Sequence, residues 1–278
     1  MTKNPVAIVT GGGTGIGAAT AAVLRAQEWE VVVCGRRPET LEHVARTTGA
    51  TPLVVDAASE KDVDRLVETT MAGFGSINGL VLNAGIVRPG TVSELATDDW
   101  NAMVSTNLTG PFLLAKAALP NLISAGGSIV GVASAAALRA SAGIPGYNAT
   151  KAGLTMLMQS IAVDYGHRGI RANAVCPGWT RTEMADMEMD EYGEELGLER
   201  EEAYSVATSF VPSRRPAKAS EVGSLIAWLL SGQASYVNGA VIPVDGGMTA
   251  VDPGSLALDP RVTISGSRPA PVPVNQSP

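Results

Sequence analysis

Residue types that build disulfide frameworks and metal sites are scarce in this chain, which has only two cysteines and two histidines among 278 residues. Cys34 and Cys176 cannot form a disulfide framework, and both lie at the ends of apolar, strand-like segments. We therefore expect them to be small core residues in a reducing compartment. The two histidines are far apart in sequence, so no metal-ligand cluster is visible and no metal is predicted.

Positive charge and long apolar runs are also scarce. A net charge of −7 argues against nucleic acid as a partner, because nucleic acid binds a basic surface. No apolar run reaches about 18 residues, the length needed to span a bilayer. The N-terminal sequence MTKNPVAIVTGGG reaches glycine too early for the apolar core of a signal peptide. The sequence therefore predicts a soluble, cytoplasmic protein without a membrane partner.

Short apolar segments alternate with longer helical patterns along most of the chain. These segments are apolar throughout, which predicts strands buried on both faces, as in a parallel sheet covered by helices. Strand–helix alternation with right-handed crossovers predicts an α/β fold with a doubly wound, seven-stranded parallel sheet, Rossmann-like, in a single domain. The predicted strands are residues 6–10, 31–34, 52–56, 79–85, 128–134, 172–178 and 240–247.

Two regions depart from this alternation. Residues 183–202 contain ten acidic residues and one arginine, so the acidity of the chain is local. The charges themselves predict a solvated helical face, and the position after the sixth strand predicts a lid segment at about 183–210. Residues 251–278 are rich in proline and serine and predict a C-terminal tail, not a second domain. The dinucleotide-binding catalytic domain is therefore predicted to be residues 1–250.

A glycine-rich stretch, TGGGTGIG, lies between the first predicted strand and the first predicted helix. Glycine permits positive φ and close backbone approach, and a helix N-terminus offers unpaired N–H groups to a pyrophosphate. The stretch does not keep the strict G-x-G-x-x-G spacing. Ala18 and Ala19 also follow Gly17, where a Walker A loop has Lys-Ser/Thr. Its position favours a nucleotide-binding loop over a purely structural turn.

The end of the second predicted strand indicates which dinucleotide binds. NAD sites usually carry Asp or Glu there to hold the ribose 2′-OH, whereas arginine accommodates a 2′-phosphate. Here Arg36 and Arg37 are present, with no carboxylate before Glu39. A guanidinium can pair with a phosphate through two hydrogen bonds, so the sequence favours NADP(H), with NAD(H) as the alternative. The structural alternative is that both arginines are ordinary solvated charges at the start of a helix.

Four polar residues with hydrogen-bonding or acid–base chemistry follow the later strands. Asn107 interrupts a long helical stretch and Ser134 ends the fifth predicted strand, while Tyr147 and Lys151 begin the next helix. Positions i and i+4 share a helix face, so the phenol and the ammonium can meet. A neighbouring cation favours the phenolate of a tyrosine, whose ordinary pKa is about 10. Taken singly, each residue also has a structural alternative: a helix cap, a strand-end hydroxyl or an exposed helix residue.

Together with TGGGTGIG and LNAG, these residues resemble the short-chain dehydrogenase/reductase family, in its compact, single-domain, 3-oxoacyl-reductase-like branch. The resemblance covers about residues 5–247, and the combination of glycine loop, NAG, Ser, YxxxK and PG is highly specific. It implies that Tyr147 is the catalytic acid/base and that Ser134 holds the reacting oxygen. It also implies that Lys151 binds the nicotinamide ribose and that Asn107 holds a water in a proton relay.

The resemblance extends these assignments along the cofactor and toward a small-molecule substrate. The residues predicted to bind cofactor are Gly11, Thr14, Gly15, Ile16, Gly17, Arg36, Arg37, Asp56, Ala57, Asn83, Ala84, Gly85, Tyr147, Lys151, Pro177, Gly178, Thr180 and Thr182. The residues predicted to line the substrate pocket are mostly uncharged: Ala136, Leu138, Ile144, Trp179 and Met184. An uncharged lining favours a medium-sized apolar ketone or secondary alcohol.

Other functions remain open at this point. Reduction of a 3-oxoacyl thioester is the second choice, because an anionic carrier could be received by Arg139, Arg181, Arg214 and Arg215. A non-catalytic NADP(H)-sensing regulator would be expected to lack the tyrosine or the lysine, and both are present. A sugar-nucleotide epimerase or dehydratase would usually have a larger C-terminal domain.

The helix from 145 to about 166 has more apolar surface than one core-facing stripe needs. With the family's habit of pairing this helix with a symmetry mate, it predicts a homo-oligomer, a tetramer or a dimer.

Overall fold

A seven-stranded parallel sheet forms the centre of the molecule in the computed structural model, which describes residues 4–256. The strands are β1 (Val6–Thr10), β2 (Glu30–Gly35), β3 (Thr51–Val54), β4 (Gly79–Leu82), β5 (Ser128–Val132), β6 (Arg171–Pro177), β7 (Thr180–Arg181), β8 (Ala217–Lys218) and β9 (Val241–Val244). The order in the large sheet is β3-β2-β1-β4-β5-β6-β9, and every pair is parallel. The predicted doubly wound sheet is confirmed.

Helices cover both faces of this sheet. They are α1 (Gly15–Ala26), α2 (Pro38–Thr48), α3 (Glu60–Phe74), α4 (Thr97–Val104), α5 (Gly110–Ala125), α6 (Pro145–Tyr165), α7 (Glu183–Leu196), α8 (Arg200–Ala207), α9 (Ala219–Leu230) and α10 (Pro253–Leu256). One buried cluster joins α3, α5 and α6 to the sheet, and a second joins α1, α2 and α9 to the opposite face. Ile8 belongs to the first cluster and Val9 to the second, because successive strand side chains point to opposite faces. This explains why the strand segments are apolar throughout.

Four strands are shorter than their apolar patterns predicted. They end two or three residues before the predicted ends at 56, 85, 134 and 247: β3, β4, β5 and β9. At β4 the cause is the hydroxyl of Thr10, which accepts hydrogen bonds from the N–H groups of Asn83 at 2.9 Å and Ala84 at 3.0 Å. The backbone there leaves the ladder, so these residues lie in a loop at the carboxyl edge of the sheet.

The segment between β6 and α9 contains structure that the sequence did not predict. β7 pairs with β8 in a separate two-stranded parallel sheet. Strands of two residues are too short to show a periodic pattern. Between them, α7 and α8 form a helical hairpin with its own small buried cluster. Four of the ten acidic side chains pair with arginines, so the predicted solvated face is only part of their use.

Other expectations concern burial, membranes, metals and the tail. Cys34 and Cys176 are both buried. Within residues 4–256, every helix is too short or too polar to cross a membrane. The same range brings no three His, Cys, Asp or Glu side chains into a metal-binding arrangement. Most of the predicted tail, residues 257–278, lies outside the described residues.

Candidate active site

The glycine-rich turn between β1 and α1 is packed too closely for side chains. Gly11 and Gly15 have φ values of 60° and 53°, in the left-handed region that favours glycine. A Cβ atom at Gly17 would overlap the carbonyl oxygen of Gly11. Thr14 is the N-cap of α1, and its side chain makes no capping hydrogen bond. The first N–H groups of α1 are therefore presented to an anion without competition from a capping side chain.

Asn83 fastens this turn to the end of β4. Its Nδ2 donates hydrogen bonds to the carbonyl oxygens of Thr10 at 3.0 Å and Gly11 at 3.2 Å. A Cβ atom at Gly11 would lie 2.9 Å from the same Nδ2. The side-chain amide of Asn83 thus positions the phosphate loop and holds two strand ends together.

Lys151 is buried, with 3 % of its surface exposed. Its Nζ donates a hydrogen bond to the carbonyl oxygen of Val132 at 2.8 Å. A Cβ atom placed on Gly85 would lie 3.1 Å from this Nζ and 3.5 Å from Oδ1 of Asn107, so glycine leaves room for both groups. Burial lowers the pKa of Lys151 to about 8, because desolvation disfavours the cation.

Asn107 lies in a π-helical turn, Ser105–Thr109, between α4 and α5. This confirms the predicted interruption of the helix, and such turns are common at functional sites. The side chain is fully buried. Its Oδ1 accepts a hydrogen bond from the N–H of Ile86 at 2.8 Å, and its Nδ2 donates to the Ile86 carbonyl at 2.9 Å and to Thr150 Oγ1 at 3.1 Å. Asn107 therefore fixes the loop after β4 against α6.

Tyr147 lies in the first turn of α6, beside the end of β5. Burial raises the pKa of Tyr147 to about 12, with a partial offset from the Ser134 hydroxyl and a further rise from the charge of Glu188. Nζ of Lys151 is 5.5 Å from the centre of the Tyr147 ring and is hydrogen-bonded to Val132. The predicted lowering of the Tyr147 pKa by Lys151 is not found. Desolvation is the largest cause of the rise, and the ammonium of Lys151 is itself buried and hydrogen-bonded to Val132.

The two arginines after β2 have different surroundings. Arg37 donates hydrogen bonds to both carboxylate oxygens of Glu183, at 2.7 and 2.6 Å, and lies 3.5 Å from Thr14 Oγ1. Arg36 is exposed and forms no ion pair within residues 4–256. Sequence reasoning missed Glu183, because its partner lies 146 residues away and no local pattern joins them.

Asp56 and Ala57 lie beyond the end of β3, in the turn that leads to α3. Asp56 is exposed, and its carboxylate accepts a hydrogen bond from the N–H of Ala58 at 3.0 Å. A Cβ atom at Gly110 would lie 2.7 Å from the carbonyl oxygen of Ala57. The turn therefore packs against the start of α5, at the same edge of the sheet as the phosphate loop.

The residues after β6 lead into the hairpin. Pro177 ends the strand, and the N–H of Gly178 donates to the carbonyl of Val244 at 3.1 Å. Thr180 is buried, and its hydroxyl donates to the carbonyl of Gly178 at 3.0 Å. Thr182 caps α7, because its hydroxyl accepts a hydrogen bond from the N–H of Ala185 at 3.2 Å. These residues place the start of α7 at the carboxyl edge.

The residues predicted to line the substrate pocket divide between two places. Ala136 and Leu138 follow Ser134 closely, and Ile144 immediately precedes α6. Met184 is exposed on the first turn of α7. Trp179 instead packs on the buried cluster of the α7–α8 hairpin and lines a small cavity, whose lining includes none of the four predicted catalytic residues.

Glu188, on α7, is a second residue that sequence reasoning missed. It lies four positions after Met184, on the same helix face, and is partly buried. Burial, and then the charge of Glu191, raises the pKa of Glu188. The only signal in the sequence was its position four residues after Met184. Its charge did not single it out, because ten residues of the segment are acidic.

Comparisons with known proteins extend over nearly the whole fold. A family model described as "Enoyl-(Acyl carrier protein) reductase" matches residues 11–249. Cis-4-hydroxycyclohexanecarboxylate dehydrogenase of Sinomonas cyclohexanicum is 40% identical over 244 residues, covering 85% of this chain and 93% of the relative. Levodione reductase of Leifsonia aquatica is 35% identical over 250 residues, covering 86% and 91%.

Two solved structures resemble the fold closely. The crystal structure of a levodione reductase has a TM-score of 0.85 at 33% identity, covering 91% of this chain and 100% of that chain. An actinorhodin polyketide ketoreductase variant, solved with NADPH, has a TM-score of 0.85 at 32% identity, covering 89% and 98%. The structural similarity therefore extends over about nine tenths of the chain.

Proposed function

The chain belongs to the short-chain dehydrogenase/reductase family, and from that premise we propose an NADP(H)-dependent enzyme that interconverts a ketone and a secondary alcohol. Members of this class are oxidoreductases that act on alcohol and carbonyl groups. The observation that carries the proposal is the grouping of Ser134, Tyr147 and Lys151 at the carboxyl edge of the sheet. Parallel α/β sheets bind their ligands at this edge.

The phosphate loop fits a dinucleotide. Its glycines leave a cradle that side chains would fill, and it opens onto the N-terminus of α1. When bound, the nicotinamide supplies or accepts the hydride. The residues assigned to hold its ribose and pyrophosphate are Lys151 and the loop of residues 11–17.

Tyr147 acts as the acid/base at the substrate oxygen in this proposal. With its pKa raised to about 12, the phenol is protonated at neutral pH and suited to donate a proton to a carbonyl oxygen. The hydroxyl of Ser134 holds the same oxygen. Oxidation of the alcohol needs the phenolate, so rising pH favours that direction.

Lys151 and Asn107 are assigned to the proton relay. Oδ1 of Asn107 accepts one hydrogen bond, from Ile86, and an amide oxygen has a second lone pair. A relay water would bind to this lone pair, and Lys151 is the nearest titratable group, because its Nζ and Oδ1 of Asn107 both approach Gly85. Asn107 thus combines the relay with positioning of the loop.

NADP(H) is the proposed cofactor, with NAD(H) as the alternative. The support is the cationic end of β2, where Arg36 is exposed and no acidic side chain of that strand end opposes a 2′-phosphate. The test is a panel of ketones and alcohols with each reduced and oxidised cofactor, followed by nicotinamide absorbance. Turnover with NADPH at a kcat/KM well above that with NADH supports the proposal, and binding without any turnover contradicts it.

The proposed substrate is a neutral, medium-sized, mostly apolar carbonyl compound. Ala136, Leu138 and Ile144 are apolar, and the half-buried carboxylate of Glu188 lies close enough to act on Tyr147, which disfavours an anionic substrate at that point. The relatives named as reductases and dehydrogenases give no support to a non-catalytic regulator.

Reduction of a 3-oxoacyl thioester is the second candidate; the description of the matching family model names an enoyl group, and supports only the part of this candidate that concerns a carrier-bound acyl chain. Its carrier would need a free cation near the site. Arg181 and Arg215 are paired with Glu201 and Glu221, which leaves Arg139 and Arg214, both exposed, as the better receivers. An acetoacetyl thioester reduced faster than a simple cyclic ketone would favour this candidate.

We also propose that the chain forms a homo-oligomer, either a tetramer or a dimer. Large apolar side chains are exposed on α5 and α6: Phe112, Met156 and Val163. A shallow groove runs beside Met156 and Val163. Burying this surface between copies would stabilise an assembly. Sedimentation that shows a stable monomer at micromolar concentration would contradict it.

A further inference from the structure

The ion pair between Arg37 and Glu183 joins two distant parts of the cofactor edge. Arg37 is the N-cap of α2, and Glu183 is the first residue of α7. Both guanidinium Nη atoms donate, one to each carboxylate oxygen, at 2.7 and 2.6 Å. We call this pair the clasp. Two-point pairing of this kind adds directional specificity that a single contact lacks.

The clasp is held from both sides. The hydroxyl of Thr40, on α2, donates to the carbonyl oxygen of Arg37 at 3.1 Å. On the other side, a Cβ atom at Gly15 would lie 3.0 Å from Cγ2 of Thr182, so the start of α7 rests directly on the phosphate loop. The clasp therefore crosses the mouth of that loop.

The clasp gives Arg37 a carboxylate partner that Arg36 lacks among the described residues. The guanidinium of Arg37 faces Glu183, which raises the pKa of Arg37 and has its own pKa lowered in return. A 2′-phosphate would have to displace or share with that carboxylate. Arg36 has no such partner within the described residues and keeps all its donors.

We propose that Arg37 and Glu183 are positioning residues that hold α7 against the phosphate loop, so that of the two arginines at the end of β2 only Arg36 is left to meet the 2′-phosphate of the proposed cofactor. The division of roles rests on the proposed function. The clasp itself is a property of the chain and can be measured without cofactor.

The first experiment measures hydrogen–deuterium exchange of the whole chain without cofactor. In Arg37→Gln, amides in the first turns of α7 exchange about two- to fivefold faster, the range for an exposed ion pair. Adding Glu183→Gln to Arg37→Gln causes less change than Glu183→Gln causes in the wild-type chain, because the ion pair is already lost and only the interaction of the carboxylate with the N-terminus of α7 remains to be removed. Arg46→Gln, which breaks a separate surface pair on α2, is the matched control. Unchanged exchange of α7 in Arg37→Gln overturns the clasp.

The second experiment measures dissociation of NADPH and of NADH by stopped-flow fluorescence. Arg37→Gln raises both rates by the same factor, about two- to fivefold, because the lid helix is loosened for either cofactor. Arg36→Gln raises only the NADPH rate, by about tenfold or more, since a charge-assisted contact to phosphate is lost. Glu195→Gln, an exposed acid on the same helix, leaves both rates unchanged.

The outcomes separate the clasp from the proposed function. Selective loss of NADPH in Arg37→Gln would make Arg37 the phosphate ligand and overturn the division of roles. Tighter NADPH binding in Glu183→Gln would make Glu183 a competitor of the phosphate and overturn it equally. If the wild-type chain binds neither cofactor, the proposed function fails and the division of roles fails with it, while the exchange experiment still decides the clasp.

Discussion

The two sides of the candidate active site are built in different ways. The sheet side, with the phosphate loop, is held by backbone groups and neutral side chains such as Asn83 and Asn107. The hairpin side is held by ion pairs, including the pairs of Arg200 with Asp190 and of Arg37 with Glu183. Buried neutral hydrogen bonds resist salt, whereas exposed ion pairs are screened by it. The sheet side therefore provides fixed geometry, and the hairpin side provides an adjustable cover.

The largest expected effect is on the sheet side, in Tyr147→Phe. Cofactor binding stays within about twofold, and turnover falls by about a hundredfold to ten-thousandfold, the usual contribution of a general acid. Steady-state kinetics and cofactor titration measure the two quantities. Tyr236→Phe, at a fully exposed tyrosine, is the control. A variant that keeps turnover within about tenfold of wild type would contradict the role given to Tyr147.

Lys151→Met tests the cost of the buried amine. The pKa of Lys151 falls from 10.5 to about 8 on folding, so the folded state binds fewer protons between these values. Wild-type stability should therefore rise from pH 8 to 10.5 relative to Lys151→Met, by about 3 kcal/mol. Below pH 8 the full penalty is present. Denaturant unfolding at pH 7 and 10.5 measures the change.

Lys116→Met is the control for that measurement, because Lys116 is exposed. A stability difference between wild type and Lys151→Met that is the same at pH 7 and at pH 10.5 would show that Lys151 does not lose its charge in this range.

Asn83→Ala tests the neutral hydrogen bonds of the sheet side. It removes both bonds from Nδ2 to the carbonyls of Thr10 and Gly11. We expect a loss of about 1–3 kcal/mol in the free energy of unfolding, together with weaker cofactor binding. Denaturant unfolding and cofactor titration measure the two losses. Asn101→Ala, at an exposed asparagine, should change neither. Loss of cofactor binding alone would mean that Asn83 acts as a ligand and not as a support.

The smallest expected effect is that of Glu188, on the hairpin side, on the pKa of Tyr147, on the sheet side. The charge of Glu188 raises the pKa of Tyr147, so Glu188→Gln should lower it. The pH at which the rate of alcohol oxidation rises would then move downward. A pH profile of kcat measures this shift, with Glu194→Gln, an exposed acid on the same helix, as control. An unchanged profile would show that the hairpin side does not act on the catalytic phenol.

The sheet side was the more predictable of the two from sequence. Its strands are continuous apolar runs, and Asn107, Ser134, Tyr147 and Lys151 stand at spacings that the family shares. Those features are local, so a pattern can report them. The helix interruption at Asn107 was visible for the same reason.

The hairpin side was less predictable, because its contacts join distant residues. The clasp spans 146 positions, and β7 and β8 have two residues each. The direction of the Tyr147 pKa shift was also missed. It depends on how deeply the phenol is buried, and a spacing of four residues carries no information about depth.

The π-helical turn at Ser105–Thr109 also limits how this chain can be altered. An α-helix turns about 100° per residue, and a π-helical turn accommodates one residue more than a regular turn. Deleting one residue there would close the wide turn to a regular α-helical turn and leave α4 and α5 facing as they do now. The backbone around Asn107 would change, and its amide could no longer reach both Ile86 and Thr150. The number of residues in this stretch is therefore as constrained as their identity.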